Sequence, residues 1–211
     1  MLSFVLPLIA SAFGEFPDVP YGYWAKNEID TMTSMGFLKG APDGNFYPES
    51  SVTRAEFAVI IVNSLKLKLN PGNKGTFTDV PKKHWAYNYI ETASKAGFIT
   101  GSRGKFRPND NITRQEMAAI VMRISEKYGY PGEGSTDFLG KYKDNDQVAG
   151  WAAPVVSDAA RFGYIQEVSY AVYESAYESH RYNRLLAPTN NATRAQSVFA
   201  LYKLLVKTGQ I

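Results

Sequence analysis

The same short motifs return three times in one order, and each round ends on Thr-Arg. Phe16-Pro-Asp18 recurs as Phe77-Thr-Asp79 and Tyr142-Lys-Asp144, and Trp24-Ala25 as Trp85-Ala86 and Trp151-Ala152. Gly36-Phe37-Leu38 recurs as Gly97-Phe98-Ile99 and Gly163-Tyr164-Ile165, and Thr53-Arg54 as Thr113-Arg114 and Thr193-Arg194. The first two tryptophans lie 61 positions apart. A unit of that size buries too little surface to stand alone, so three should pack together as one body.

Each unit reads as helix, loop, helix. Trp24 to Met35 has helical content and stops at Gly36, a residue suited to a left-handed C-terminal cap. The loop from Gly40 to Ser51 contains Pro42, Gly44 and Pro48. A second helix follows Thr53, with Phe57, Ile60, Ile61 and Leu65 on one face. Met117, Ile120, Val121 and Ile124 repeat that stripe, as do Val198, Leu201, Leu204 and Leu205. Three apolar stripes need partners, and one another is the economical choice. The expected fold is all-α, three helix-loop-helix repeats in a pseudo-threefold bundle.

The units span 16–69, 77–129 and 142–208. Linkers rich in turn residues separate them, at Lys66–Gly75 and Tyr130–Gly140. Unit three carries an insert at about 166–184, with Tyr170, Tyr173 and Tyr177 at i, i+3, i+7 after Ser169, a candidate N-cap. That spacing predicts an extra amphipathic helix. Residues 1–12 form an apolar stretch ending in Ala10-Ser11-Ala12, which suits a short or truncated export signal or a hydrophobic tail packed on the body.

A net charge of +3 without a Lys/Arg run argues against a nucleic-acid surface. The absence of cysteine removes disulfides, thiolate metal sites and thiol nucleophiles. The histidines, His84 and His180, sit at non-equivalent positions, so no catalytic constellation, metal site or cofactor is expected. Asp43-Gly44-Asn45 lacks the acidic spacing of a calcium loop, and turn chemistry accounts for it. Fourteen tyrosines supply core material and rings suited to sugar or protein surfaces.

Thr53-Arg54-Ala55-Glu56 and Thr113-Arg114-Gln115-Glu116 have the form of capping boxes, and Thr193-Arg194-Ala195-Gln196 keeps the form with an uncharged amide. Capping does not need the arginine, which sits where the helix dipole disfavours a cation. Two partners fit Arg54, Arg114 and Arg194: a carboxylate such as Asp18, Asp79 or Asp144 of another unit, or an external anion.

Phe-x-Asp-Val-Pro, Trp-Ala, Gly-Phe-Leu/Ile, Gly-x-Phe-x-Pro and Thr-Arg-x-Glu in this order resemble the S-layer homology (SLH) domain, in three tandem copies. The resemblance implies a secreted, non-catalytic module at the bacterial surface or S-layer. Its partner would be an anionic secondary cell-wall polysaccharide, commonly carrying a pyruvylated sugar, held in inter-repeat grooves. It also implies binding roles for Arg54, Arg114 and Arg194. Trp24, Trp85 and Trp151 suit stacking on sugar rings, or anchorage in the core. The alternative function is a structural or protein-interaction module of the envelope, with internally paired arginines and the Tyr-rich insert as working surface. Unit three departs at Leu186, Gln196 and the insert, which predicts that Arg194 contributes least to binding.

Overall fold

A computed structural model describes residues 16–70, 72, 75–171 and 182–211. The proposed export signal at 1–12 lies outside them.

The first helices of the three units are α1 (Lys26–Ser34), α3 (Tyr87–Lys95) and α5 (Ala153–Arg161). Each begins after the Trp-Ala pair, and the alanine is the residue that packs. Ala25, Ala86 and Ala152 are fully buried, whereas Trp24, Trp85 and Trp151 remain 41%, 62% and 62% exposed. The tryptophans are therefore not core anchors. Each helix ends in a Schellman turn on a glycine with positive φ: Gly36, Gly97 and Gly163, at 73°, 76° and 72°. The closing bonds run from Phe37 N–H to Met32 O, Phe98 N–H to Ala93 O and Tyr164 N–H to Ala159 O, at 3.0, 3.0 and 2.9 Å. The aromatic after each glycine is then driven into the core.

The following loop is held by the aspartate of the unit's first motif. Asp18 accepts the N–H groups of Phe46 and Tyr47, Asp79 those of Phe106 and Arg107, and Asp144 those of Leu186 and Ala187. The second residue of each pair has a left-handed φ, 58° at Tyr47, 60° at Arg107 and 47° at Ala187. A non-glycine residue held there costs roughly 1–3 kcal/mol. Two charge-assisted bonds to one carboxylate offset it. These aspartates are thus loop staples within their own units.

The second helices are α2 (Arg54–Ser64), α4 (Arg114–Lys127) and α6 (Arg194–Lys207). Thr53, Thr113 and Thr193 accept the backbone N–H of Glu56, Glu116 and Gln196, whose side chains accept the threonine N–H in return. The apolar stripes of all three helices are buried in one continuous core, and α6 packs against both α2 and α4.

The units interlock in cyclic order. The first helix of each packs on the second helix of the one before, α3 on α2, α5 on α4, and α1 on α6. The residues preceding the three capping threonines close a ring of backbone bonds. Val52 N–H donates to Ala192 O, Ala192 N–H to Ile112 O, and Ile112 N–H to Val52 O, at 3.0, 2.8 and 2.9 Å. All three residues are fully buried.

The described ends of the insert are strands where a helix was expected. Val168–Ala171 (β1) and Tyr182–Leu185 (β2) pair antiparallel, with Val168 opposite Leu185 and Ser169 opposite Arg184. Ser169 is a strand residue rather than a helix cap, and Tyr173 and Tyr177 lie outside the described residues. The hairpin starts where Glu167 pairs with Arg184, whose guanidinium lies 5.5 Å from the Tyr142 ring centroid. Among the described residues the molecule is therefore helix-rich with one antiparallel strand pair rather than purely α.

Ile112 is fully buried at the ring of backbone bonds. Ile112→Ala is expected to cost about 2–5 kcal/mol and to lower the midpoint of thermal unfolding by on the order of 10 °C. The loss should appear as one cooperative transition, because the core it damages is shared by three units. Calorimetry checks both points, and a separate early transition for unit two would contradict them.

Candidate functional site

Each Thr-Arg arginine reaches out of its own unit into the loop of the next. Arg54 donates from Nε to Phe106 O at 2.7 Å, from Nη2 to Thr100 O at 3.3 Å, and from Nη1 to Glu116 Oε1 at 3.2 Å. Arg114 donates from Nε to Leu186 O at 2.7 Å and from Nη2 to Gln166 O. Arg194 donates from Nε to Phe46 O at 2.8 Å and from Nη2 to Lys39 O at 3.1 Å. The geometry needs the planar fork of arginine, since two N–H groups must meet two carbonyls at once. Aromatic rings support two of the guanidinium groups, Phe106 at 4.9 Å from Arg54 and Phe46 at 4.6 Å from Arg194.

This reach reassigns the arginines. Arg194 serves the loop of unit one, and Arg114 serves the divergent loop of unit three with its Leu186 carbonyl and neighbouring hairpin. Leu186 and the insert, the departures of unit three expected to bear on Arg194, lie in the loop that Arg114 reaches.

A groove opens beside Arg54. It has a volume of about 700 Å³ and draws on all three units: Arg54 from the first, the Thr100–Lys105 loop, Arg107, Glu116 and Arg123 from the second, and Trp151 from the third. Ala119 and Ile120 form an apolar strip in its wall. A smaller groove of about 240 Å³ lies beside Arg194, with Lys39, Phe46, Tyr47 and Glu56. Of the tryptophans, Trp151 lines the Arg54 groove, Trp24 packs 5.7 Å from Phe199, and Trp85 stacks on His84 at 5.8 Å. The sequence reading singled out Arg54 and Trp151 but missed Arg107 and Arg123. Set against Tyr47 and Asn63 of unit one, both were visible as gained cations.

Five cations line the Arg54 groove against one carboxylate. Glu116 Oε1 lies 3.2 Å from Arg54 Nη1 and 2.6 Å from Arg107 Nη2, while its other oxygen takes the Thr113 N–H at 3.0 Å. Burial raises the Glu116 carboxyl, but the Thr113 N–H and the two guanidiniums outweigh it, and it titrates below the ordinary range. Asp79 is likewise lowered: burial raises it, and the Phe106 and Arg107 N–H groups more than reverse that. Burial disfavours the charge on Arg54, and Glu116 partly restores it. Among the described residues no group of three or more His, Cys, Asp or Glu side chains is placed to hold a metal, and no helix is long and apolar enough to cross a membrane.

Two expectations follow. Arg54→Ala strands two backbone carbonyls at a unit boundary and removes charge-assisted bonds worth roughly 1.5–3 kcal/mol. Denaturant unfolding should show a loss of that order, whereas Arg103→Ala at an exposed loop tip should show almost none. The second concerns acid. Carboxyls whose folded pKa is depressed contribute stability above their unfolded pKa and lose it as pH falls through the folded value. Stability should hold down to about pH 5 and fall steeply below about pH 4. Glu116→Gln keeps a capping side chain, as Gln196 does in α6, and should flatten that fall. An acid profile identical to the parent's would show that Glu116 is not responsible.

A sequence profile of the S-layer homology domain matches residues 15–58 and 76–118. Among similar proteins, an amylopullulanase of Thermoanaerobacterium thermosulfurigenes is 37% identical over 89% of this chain and 9% of its own length. An S-layer protein of Bacillus licheniformis is 28% identical over 83% of this chain and 22% of its own. A cellulosome-anchoring protein of Acetivibrio thermocellus is 38% identical over 53% of this chain and 26% of its own. The chain thus spans less than a third of each relative. Motif order and similarity agree: the chain belongs to the S-layer homology domain family, and its place is the cell surface.

Proposed function

We propose that this chain is a non-covalent anchoring module that binds an anionic secondary cell-wall polysaccharide in grooves between its units. The observation that carries this reading is the Arg54 groove, to which all three units contribute and in which cations outnumber carboxylates five to one. A pyruvylated sugar fits its chemistry. The ketal carboxylate would meet Arg54 and Arg107 beside Glu116, its methyl the Ala119–Ile120 strip, and a sugar ring the exposed face of Trp151. The cyclic order of helix contacts and of the Val52, Ile112 and Ala192 bonds supports a pseudo-threefold arrangement of the units.

The arginines serve two ends in this reading. Their Nε atoms hold the next unit's loop, and their remaining N–H groups border the groove. That combines the two alternatives left open by the sequence, internal pairing and ligand contact. The named enzymes among the relatives contain the matching segment as a small fraction of their length, as the 9% of the amylopullulanase illustrates, which favours attachment over catalysis as its contribution. The S-layer and cellulosome-anchoring relatives support the same view. The divergent surroundings of Arg114, with the Leu186 carbonyl and the neighbouring strand pair, make its position the weakest of the three for glycan binding.

Binding to purified cell walls, before and after removal of their polysaccharide, tests the proposal. Intact walls should retain the protein and stripped walls should not. Trp151→Ala removes an exposed ring without touching the clamp and should weaken retention by roughly two- to tenfold, corresponding to a ring contact of about 0.5–1.5 kcal/mol. Equal retention on stripped walls would rule out the polysaccharide as ligand.

A further inference from the structure

The Arg54 and Arg194 grooves carry different charge, and nothing in the repeat requires it. The loop of unit one reads Asp43-Gly44-Asn45-Phe46-Tyr47, and that of unit two reads Arg103-Gly104-Lys105-Phe106-Arg107. On the second helix, Arg123 of the Arg54 groove answers to Asn63 in unit one. The Arg194 groove keeps Lys39 and Arg194 against Glu56.

Internal pairing does not use up the extra charge. Glu116 is shared by Arg54 and Arg107, and Arg107 also reaches Asp110 at 3.6 Å. Arg123 is fixed by its bond to Phe98 O at 2.7 Å and keeps its charge beside the groove. Arg103 and Lys105 are exposed, and neither has an ion pair or side-chain hydrogen bond among the described residues. Both line the groove.

Turn chemistry does not call for Arg103 either. Ser102 and Lys105 exchange backbone bonds at 2.8 and 2.9 Å, closing a two-residue turn in which Arg103 and Gly104 have φ of 50° and 74°. Such a turn selects asparagine, aspartate or glycine at its first central position. An arginine held there against its backbone preference fits a role for its side chain at the groove.

We propose that the Arg54 groove reads a glycan segment bearing at least two anionic groups, the second seated among Arg103, Lys105 and Arg123, while the Arg194 groove takes a segment of lower charge. This rests on the anchoring reading and adds to it the charge spacing of the ligand. Arg54 and Arg107 meet the first anion, and the loop tip of unit two meets the second. Unit one has neither of those loop cations.

The probes are two chondroitin disaccharides, one unsulfated with a single carboxylate and one disulfated, titrated into the full chain by calorimetry at low salt. The disulfated form should bind at least about tenfold more tightly. The double variant Arg103→Asn, Lys105→Asn should erase that preference to within about twofold. Asparagine suits the left-handed turn, and position 105 then matches Asn45 of unit one, so the variant should unfold at the parent's temperature. Lys82→Asn with Lys83→Asn removes two exposed cations outside the groove and should leave the preference intact. The proposal is overturned if the parent shows no preference, if the Arg103/Lys105 variant keeps it, or if the Lys82/Lys83 variant loses as much. Failure of the anchoring reading looks different: stripped walls would then retain the parent as well as intact ones, with the disaccharide preference still present.

Discussion

Three buried peptide groups, at Val52, Ile112 and Ala192, need hydrogen-bond partners that their own units do not supply. Each finds one in another unit, and the donations run in a closed circle. A buried N–H left unmatched costs on the order of 1–3 kcal/mol, so removing any unit exposes or orphans groups in both others. The arginine clamps run the opposite way around the circle, from each capping turn into the next loop. Unit boundaries in the sequence are therefore not boundaries in the structure, because each unit's first helix lies on its predecessor's second.

The groove follows from how the clamp is built. An arginine at the first helical position projects beyond the helix toward the neighbouring loop. There it meets carbonyl oxygens that the loop's left-handed turn has presented. The capping glutamate of the next unit, the adjacent helix wall and the exposed tryptophan after that then complete a concave surface. The Trp-Ala pair divides its work by size: the alanine admits the close packing of the helix start, and the ring stays at the rim.

Features that depend on near neighbours in the chain were legible. The capping boxes join residues three apart, the glycine stops sit one residue past a helix, and the apolar stripes repeat every turn. The arginine's partners were not legible, since a backbone carbonyl carries no mark in the sequence. Asp18, Asp79 and Asp144 were the visible anions, yet each is consumed by two N–H groups of its own loop. The start of the insert was misread because tyrosines at helical spacing left the strand alternative unexamined. Val168 and Tyr170 also alternate, and Lys143 N–H bonds Arg184 O, a contact made across the chain rather than along it. The tryptophans were weighed as whole residues, when the small alanine beside each was the buried one.

The packing of α1 on α6 has a consequence in time. Helix α1 is covered by α6, so the core shared by the three units cannot close before the last of them has been made. Bringing two such distant segments together is the kind of long-range contact that delays folding. A polypeptide destined for the outside of a cell is best kept extended until it has been threaded through. Here a delay is written into the order in which the helices of the three units emerge.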